Sequence, residues 1–140
     1  AKLEQTIKEY RLDNDKVQII GQQPFDKICD ALQKVHFFVF PSQEKMEGHS
    51  NSLTEAMTFG VVPVVSTAGF NASIVGNKEL VVDSIDPMKY ARVIESVIEK
   101  NVWSEYSLAV YRRIKENYTE DIVKKNILCA VDELEDGENE

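Results

Sequence analysis

The fold is decided by residues 37–65, which read FFVFPSQEKMEGHSNSLTEAMTFGVVPVV. Two short apolar runs, Phe37–Phe40 and Val61–Val65, stand on either side of a polar segment and a stretch with helical spacing. A run that is apolar at every position is typical of a parallel strand covered on both faces. The stretch therefore predicts a strand, a long loop, a helix and a second strand of the same parallel sheet.

The helix of this unit is predicted over residues 51–59. Leu53, Ala56 and Met57 recur at a spacing that places them on one helical face, as in a helix packed on a sheet. Gly60 follows at the position where a left-handed helix cap is expected. The helix is therefore expected to end just before the second strand begins.

The same alternation of short apolar runs and helical spacing continues on both sides of this unit. Upstream, residues 3–10 predict a helix, Val17–Ile20 predicts a short strand ended by Gly21, and Phe25–Val35 predicts a second helix. Downstream, Leu80–Val82 predicts another strand, and three further helices follow it. These last predicted helices cover residues 86–100, 102–117 and 119–135.

Apolar strands that are separated by helices indicate an α/β fold. We predict a Rossmann-like, mostly parallel, doubly wound sheet with flanking helices, because right-handed crossovers place helices on both faces of the sheet. A length of 140 residues suits one domain, which we place at residues 1–131. Residues 132–140 carry six carboxylates and no lysine or arginine, so they are predicted to form a frayed acidic tail.

The net charge of −8 belongs mostly to this tail, because the rest of the chain carries 16 basic and 18 acidic residues. A nearly neutral body offers no basic stripe that could follow a phosphate backbone, so nucleic-acid binding is not expected. No apolar run approaches the ~20 residues that span a bilayer. Cys29 and Cys129 lack the spacing of a metal site. They are predicted to be buried free thiols on helices, and a disulfide between them is the alternative. These features fit a cytoplasmic protein.

In an open parallel sheet, ligands bind beyond the carboxyl ends of the strands. The segment after Phe40 is the best candidate, because it is long and polar and leads from an apolar strand into a helix. Ser50–Leu53 would present free backbone N–H groups at the start of that helix, which form a ready anion site. Glu47 and Glu55 stand on either side of it in the sequence. A phosphate cradle with an acceptor on each side suits a ligand that joins a sugar, phosphates and a ribose.

These residues also have purely structural interpretations. Ser52 and Glu55 have the spacing of a capping box, in which Glu55 would only bond a backbone N–H group. Glu47 would then be an ordinary loop charge, and His49 would be a surface residue. His36, which stands beside a strand, is expected to serve in packing.

Residues 47–65 resemble the E-x7-E signature of the family-4 retaining glycosyltransferases, in which seven residues separate two glutamates. The flanking motifs agree in order: a strand ending in Gly21, a strand ending in Pro41-Ser42, a turn after Pro-Val-Val and an Asp-Pro helix start. The resemblance covers most of residues 1–100. It implies the GT-B fold, which has two Rossmann-like domains, and this chain would supply the carboxyl-terminal, donor-binding one.

The resemblance also implies a role for each residue of the loop. Glu55 would accept hydrogen bonds from the ribose hydroxyls of a nucleotide diphosphate sugar. Glu47 would be the catalytic residue, which contacts the hexose and stabilises the charge that develops at its anomeric carbon. No metal or other cofactor is expected, because a helix dipole and basic side chains neutralise the leaving diphosphate in this family. The amides of Gly48, His49, Ser50 and Asn51 would hold the sugar, those of Ser52 and Leu53 the distal phosphate, and Gly21, Gln22 and Gln23 would flank the nucleobase.

By resemblance, the reaction is the transfer of a hexose from a UDP- or GDP-sugar to a glycan or lipid-linked acceptor, as in polysaccharide biosynthesis. The acceptor would bind a second, amino-terminal domain that these 140 residues do not contain, supplied by the same polypeptide or by a partner chain. The chain alone is therefore expected to be inactive in transfer. Contact with a membrane surface is expected only through that other domain.

Two departures from the family's pattern lead to further expectations. The donor domain of the family normally begins with two more strands and carries an Arg and a Lys-Gly pair that clamp the pyrophosphate, and we find neither here. Lys45 lies in the loop but at a different place. Such a chain would be a fragment or would pair its strands differently, and an exposed sheet edge favours a homodimer.

Two alternative functions belong to other classes of protein. The first is a non-catalytic Rossmann-like interaction module, or a subunit of a split transferase whose partner supplies the missing half. The second is a flavodoxin-like nucleotide or signalling domain, which would place its functional loop after the first strand. The sequence disfavours the second, because Gly21–Pro24 contains neither an acidic cluster nor a phosphate loop.

Overall fold

The computed structural model describes the backbone of residues 2–12, 16–43 and 48–137, and the side chains among them from Leu3 to Cys129. The chain forms two compact units, Ala1–Ala31 and Leu32–Glu140. The second unit contains the sheet and the described part of the candidate loop.

Helices account for most of the described residues. The three long helices near the carboxyl end agree with their predicted ranges to within one or two residues. The first of them begins where expected for an Asp-Pro pair, because the Asp86 carboxylate accepts a hydrogen bond from the N–H of Met88 at 2.9 Å and Pro87 occupies the first turn. The helices are α1 (Lys2–Glu9), α2 (Phe25–Leu32), α3 (Asn51–Thr58), α4 (Asn71–Val75), α5 (Pro87–Glu99), α6 (Trp103–Asn117) and α7 (Glu120–Gly137).

Within the described residues, one sheet contains three parallel strands: β1 (Phe37–Phe40), β2 (Val62–Ser66) and β3 (Val81–Val82). Their spatial order is β1-β2-β3. Every residue of β2 is buried, so this strand is covered on both of its faces. The predicted α/β fold with a Rossmann-like parallel sheet is therefore confirmed. In the register, Phe37 aligns with Val62, Phe40 with Val65, Val65 with Val81, and Ser66 with Val82.

The core lies between β2 and the helices around it. A smaller cluster joins Val64 and Val82 to Tyr90 of α5. A larger cluster joins β2 to α3, α4, α5 and α6, and the predicted inward residues of α3 are fully buried in the core. The buried members of the larger cluster are Leu53, Met57, Val62, Val65, Ile74, Val75, Leu80, Val97, Val110 and Ile114.

Gly60 forms the left-handed turn between α3 and β2, as the sequence predicts. Its φ is +71°, a conformation that L-residues with a side chain rarely adopt. Its carbonyl oxygen accepts a hydrogen bond from the Ser107 hydroxyl at 2.6 Å, which ties the turn to α6. A Cβ at position 60 would lie 2.9 Å from the same Ser107 oxygen. The turn therefore requires glycine for its conformation and for the close approach of α6.

The prediction of a strand at Val17–Ile20 is wrong. These residues form no helix or strand, and the side chains of Ile19 and Ile20 are 50% and 61% exposed. A strand needs a neighbour that accepts and donates its backbone hydrogen bonds, and in the part of the chain that the structure describes no strand pairs with this segment. The flavodoxin-like interpretation requires a functional loop after this first strand, and the strand is not formed.

The second predicted helix is shorter than expected. It was predicted to reach Val35, but α2 ends at Leu32, and Val35 is 44% exposed. Apolar spacing alone does not fix the last turn of a helix, because its final carbonyl groups lack partners within the helix. The first strand after it, β1, has the predicted bounds.

Among the described residues of the Leu32–Glu140 unit, no strand pairs with the side of β1 that faces away from β2, which we call its open side. The expectation that β1 is covered throughout is therefore corrected. Val39 is 45% exposed. The N–H of Val62 donates to the carbonyl oxygen of His36 at 3.0 Å, so residue 36 presents its backbone groups to β2. Alternate residues of a strand point these groups to opposite sides, so those of Phe37 and Val39 point away from β2. The predicted homodimer through this edge remains a prediction.

The cysteines lie on helices as free thiols, but they are not buried as expected. Cys29 on α2 is half-buried, and Cys129 on α7 is exposed. Of the helices in the described residues, none combines the length and the apolar character that crossing a membrane requires.

Candidate functional site

The loop after β1 is attached to the end of β2. The Ser66 hydroxyl donates a hydrogen bond to the carbonyl oxygen of Ser42 at 2.6 Å, and Ser66 is 4% exposed. This bond joins the chain that leaves β1 to the last residue of the central strand. The carboxyl ends of the two strands therefore form one rim, and the loop returns to the sheet through α3.

Ser50 caps α3. It has an extended backbone, its hydroxyl oxygen accepts from the N–H of Leu53 at 3.4 Å, and its carbonyl accepts from the N–H of Thr54 at 3.2 Å. Ser50 is only 8% exposed. The predicted capping box of Ser52 and Glu55 is therefore wrong, because Ser52 lies inside the first turn of α3.

The first turn of α3 leaves two backbone N–H groups available. Those of Asn51 and Ser52 have no acceptor among the described residues. The N–H of Leu53, which the resemblance assigns to the distal phosphate together with that of Ser52, is already engaged by Ser50. Asn51 and Ser52 are both exposed residues.

Glu55 lies one turn further along α3. Leu53, Ala56 and Met57 are fully buried, so the helix packs on the face opposite to Asn51 and Ser52. Residues three and four positions apart share a helical face, which places half-buried Glu55 beneath these two residues. Within the described parts of the chain, the carboxylate of Glu55 forms no hydrogen bond or ion pair. The loss of the capping box leaves its carboxylate available to a ligand.

The residues that precede α3 are described in part. Glu47, the predicted catalytic residue, and Lys45 lie outside the described residues. Gly48 is exposed, and a Cβ at this position would meet no atom within 4 Å. The His49 ring lies 5.1 Å from the ring of Tyr118, between centroids. The structure thus brings together residues 48–53 and Glu55.

Gly21, Gln22 and Gln23 belong to the Ala1–Ala31 unit and are described within it alone. Gly21 has a φ of +61°, so it forms a turn that favours glycine. The side-chain amide of Gln23 donates to the carbonyl oxygen of Ile20. These three residues therefore form a local turn, and their predicted role beside a nucleobase stays a prediction.

His36 has the packing role that the sequence predicts. Its ring makes an edge contact with the Trp103 ring at 5.0 Å between centroids. The Trp103 indole N–H also donates to the His36 carbonyl oxygen at 3.0 Å. These contacts fix α6 to the chain just before β1.

A cleft of about 630 Å3 lies at the carboxyl ends of the three strands, and the sequence did not single it out. The signal that could have found it is positional, since each part of its lining directly follows an apolar strand. Asp83 is the charged member of the described lining, so no basic side chain lines this cleft in the described parts of the chain. The lining consists of Ser42, Gln43, Ser66, Thr67, Ala68, Gly69, Asp83, Ser84 and Ile85.

An ion pair borders this cleft. The Lys89 ammonium donates to the Asp83 carboxylate at 2.7 Å. This hydrogen bond and the charge of Lys89 hold the pKa of Asp83 below its ordinary value, and Asp83 raises the pKa of Lys89 in the same way. The pair is therefore ionised at neutral pH, and its net charge is zero.

No cluster of three or more histidines, cysteines and carboxylates that could hold a metal ion is present among the described residues. The polar groups that converge near the start of α3 are backbone amides, one carboxylate and hydroxyls. Such donors suit a ligand that carries anionic oxygens and hydroxyl groups.

Residues 1–121 match the protein family described as Glycosyl transferases group 1. The chain belongs to this family. A search among curated proteins and a search among solved structures found no match. The matched range contains β1, α3 and β2, which carry the candidate site. This group 1 domain is thus a glycosyltransferase domain of the GT-B type, and most of α7 lies beyond the match.

Proposed function

We propose that this group 1 domain is the donor-binding part of a retaining glycosyltransferase that uses a UDP- or GDP-sugar. The observation that carries the proposal is the start of α3. There, the free amides of Asn51 and Ser52 stand one helical turn above the available carboxylate of Glu55. The transferred group would be a hexose, and the acceptor a glycan or a lipid-linked sugar, as in polysaccharide biosynthesis.

The diphosphate would bind at the amides of Asn51 and Ser52. The aligned peptide dipoles of a helix give its amino end a positive charge of about half a unit. This charge and the two N–H donors would stabilise the negative charge of the diphosphate. They would do so in place of basic side chains, which are absent from the described lining of the neighbouring cleft. No metal is needed in this proposal, because the helix start stabilises the leaving diphosphate.

The ribose would bind at Glu55. Side chains on a helix lean towards its amino end, so the carboxylate of Glu55 extends towards the two free amides. One turn of helix rises about 5.4 Å, a separation that a single nucleoside diphosphate can span between its phosphates and its ribose hydroxyls. A carboxylate can accept hydrogen bonds from both hydroxyls of the ribose.

Glu47 would be the catalytic residue. By the family resemblance it would lie beside the hexose, where a carboxylate would stabilise positive charge at the anomeric carbon as the bond to the diphosphate breaks. The amides of Gly48, His49 and Ser50 would hold the sugar, because the amide of Asn51 binds the diphosphate in this proposal. Gly21, Gln22 and Gln23 would flank the nucleobase.

The acceptor would bind in a cleft between this domain and an amino-terminal acceptor domain, supplied by the same polypeptide or by a partner chain. Donor binding requires only the residues named above, whereas transfer also requires the acceptor. The 140-residue chain alone should therefore bind a sugar nucleotide without transferring the sugar.

Calorimetric titration with UDP-glucose and GDP-mannose tests this proposal. Glu55→Ala removes a charged acceptor of two hydrogen bonds, each contributing about 1.5–3 kcal/mol, so we expect at least a tenfold loss of affinity. Glu47→Ala should weaken the binding of the sugar nucleotide but not that of UDP or GDP. Glu95→Ala, at an exposed position of α5, is the matched control. The proposal is refuted if neither Glu55→Ala nor Glu47→Ala changes the affinity for either sugar nucleotide.

The open side of β1 favours a second candidate function, a non-catalytic interaction module or a subunit of a split transferase. Phe37 and Val39 direct their backbone groups away from β2, where a strand of another chain could pair with them. Purification from the native source discriminates between an interaction module and a subunit of a split transferase. A co-purifying chain that carries an Arg and Lys-Gly donor half supports a split transferase. Purification without such a chain, together with no binding of sugar nucleotides, supports a simple interaction module.

A further inference from the structure

His49 and Tyr118 are far apart in the sequence, but their rings are in contact. The ring centroids are 5.1 Å apart, and the ring planes are tilted by 50°. Tyr118 is the cap residue that follows α6, and it is half-buried against the larger hydrophobic cluster. The His49 ring is therefore held against a second ring that the core itself fixes.

This contact lies immediately before the two free amides of α3. Behind His49, Ser50 is buried and caps the helix, and Leu53 is fully buried in the core. Asn51 and Ser52 are thus exposed, whereas Ser50 and Leu53 on either side of them are buried. Gly48, in contrast, stands in open space, since a Cβ there would meet no atom within 4 Å. Among the described residues, the ring of Tyr118 contacts the segment on its amino-terminal side.

We propose that Tyr118 is a positioning residue for sugar-nucleotide binding. Its ring holds His49, and His49 in turn fixes the backbone that runs from Gly48 into the first turn of α3. A ligand that binds to backbone amides gains affinity when those amides are already held in the bound geometry, because less conformational entropy is lost on binding. The inference rests on the proposed function of this segment, although the ring contact itself does not depend on it.

The two rings also share a wall of a cleft of about 590 Å3 between the loop and α7. Tyr118 therefore supports His49 from one side, and the opposite side of the pair faces open space. An aromatic ring at position 118 should be sufficient for this role, because the contact is made between rings and the phenolic hydroxyl is not needed for it.

Three variants of the full chain test this inference. Tyr118→Leu removes the ring, Tyr118→Phe keeps it, and Tyr111→Leu removes a different, exposed tyrosine from the same helix. Nuclear magnetic resonance reads the imidazole proton shifts of His49, which the neighbouring ring perturbs, and the hydrogen exchange of the Leu53 and Thr54 amides, which are bonded to Ser50. Titration with UDP-glucose and GDP-mannose reads the affinity.

Tyr118→Leu should remove the ring-current shift of His49, speed the amide exchange of Leu53 and Thr54, and weaken sugar-nucleotide binding by about threefold to tenfold, the range expected for loss of one aromatic contact. Tyr118→Phe and Tyr111→Leu should both leave the His49 shift, the amide exchange and the affinity as they are in the wild type. The inference is overturned if Tyr118→Leu leaves the His49 shift unchanged, or if it weakens binding no more than Tyr111→Leu does. Should the wild-type chain bind neither nucleotide, the proposed function fails, and the His49 shift and the amide exchange still decide whether Tyr118 positions the segment.

Discussion

The Ser66 hydroxyl donates to the carbonyl oxygen of Ser42 at 2.6 Å, and this bond joins the carboxyl end of β2 to the loop that leaves β1. The loop carries the candidate site, whereas β2 is the most deeply buried strand. A single hydroxyl therefore links the buried central strand to the loop. Both residues also line the cleft at the carboxyl ends of the strands.

Ser66→Ala should destabilise the protein by about 1–3 kcal/mol, because a nearly buried hydrogen bond is lost. Chemical denaturation measures the free energy of unfolding. Ser104→Ala, at an exposed serine of α6, is the control and should change stability by less than about 0.5 kcal/mol. Equal stability of the two variants would show that the Ser66 bond does not hold the loop.

Gly60→Ala should destabilise the protein by about 1–2 kcal/mol, because alanine disfavours a φ of +71°. The added Cβ would also press on the Ser107 oxygen at 2.9 Å and disturb its hydrogen bond to residue 60. Gly48→Ala is a matched control for stability, because a Cβ at position 48 would meet no atom within 4 Å. A thermal melt in which both variants unfold together would contradict this account of the turn.

The sequence was sufficient for those features that depend on local pattern. Leu53, Ala56 and Met57 could be assigned to the buried face of α3 because helical spacing alone selects them. Gly60 could be predicted because a helix followed at once by a strand requires a sharp reversal of the chain. The glycosyltransferase family could be identified from the string of motifs around residues 47–65, and the match over residues 1–121 agrees with it.

Features that depend on a distant partner could not be predicted in this way. Val17–Ile20 has the composition of a strand, but composition does not supply the neighbour that a strand needs. Ser50 and Ser52 are equivalent as caps in the sequence, and the choice between them follows from where α3 packs. The contact of His49 with Tyr118 joins segments that no local pattern relates.

The stability of the protein should depend on Glu79 under acidic conditions. The Tyr106 hydroxyl and the Lys100 ammonium donate to its carboxylate at 2.9 Å and 3.1 Å, and they hold its pKa below the ordinary value. A carboxylate with a lowered pKa in the folded state stabilises the protein above its unfolded pKa, and this contribution is lost as the pH falls through the folded pKa. Glu79→Gln should therefore reduce stability at neutral pH by a small amount, since the group is exposed.

The difference between wild type and Glu79→Gln should shrink as the pH falls below about 4.3, the usual pKa of an unfolded glutamate. Denaturation curves at several pH values from neutral to about 3 measure it, with Glu95→Gln in the middle of α5 as the control. Tyr106→Phe should reproduce part of the effect, because its hydroxyl is the largest cause of the lowered pKa. A difference that does not change with pH would rule out ionisation of Glu79 as its origin.

The open side of β1 should allow two copies of the chain to associate, as the sequence predicts for an exposed sheet edge. The backbone groups of Val39 point away from β2, so Val39→Pro removes an N–H from the open side and leaves the β1–β2 hydrogen bonds in place. Sedimentation at increasing concentration should show a dimer of the wild type and a monomer of Val39→Pro, with both variants folded by circular dichroism. A wild type that stays monomeric would contradict the prediction, and a dimer that survives Val39→Pro would place the contact on another surface.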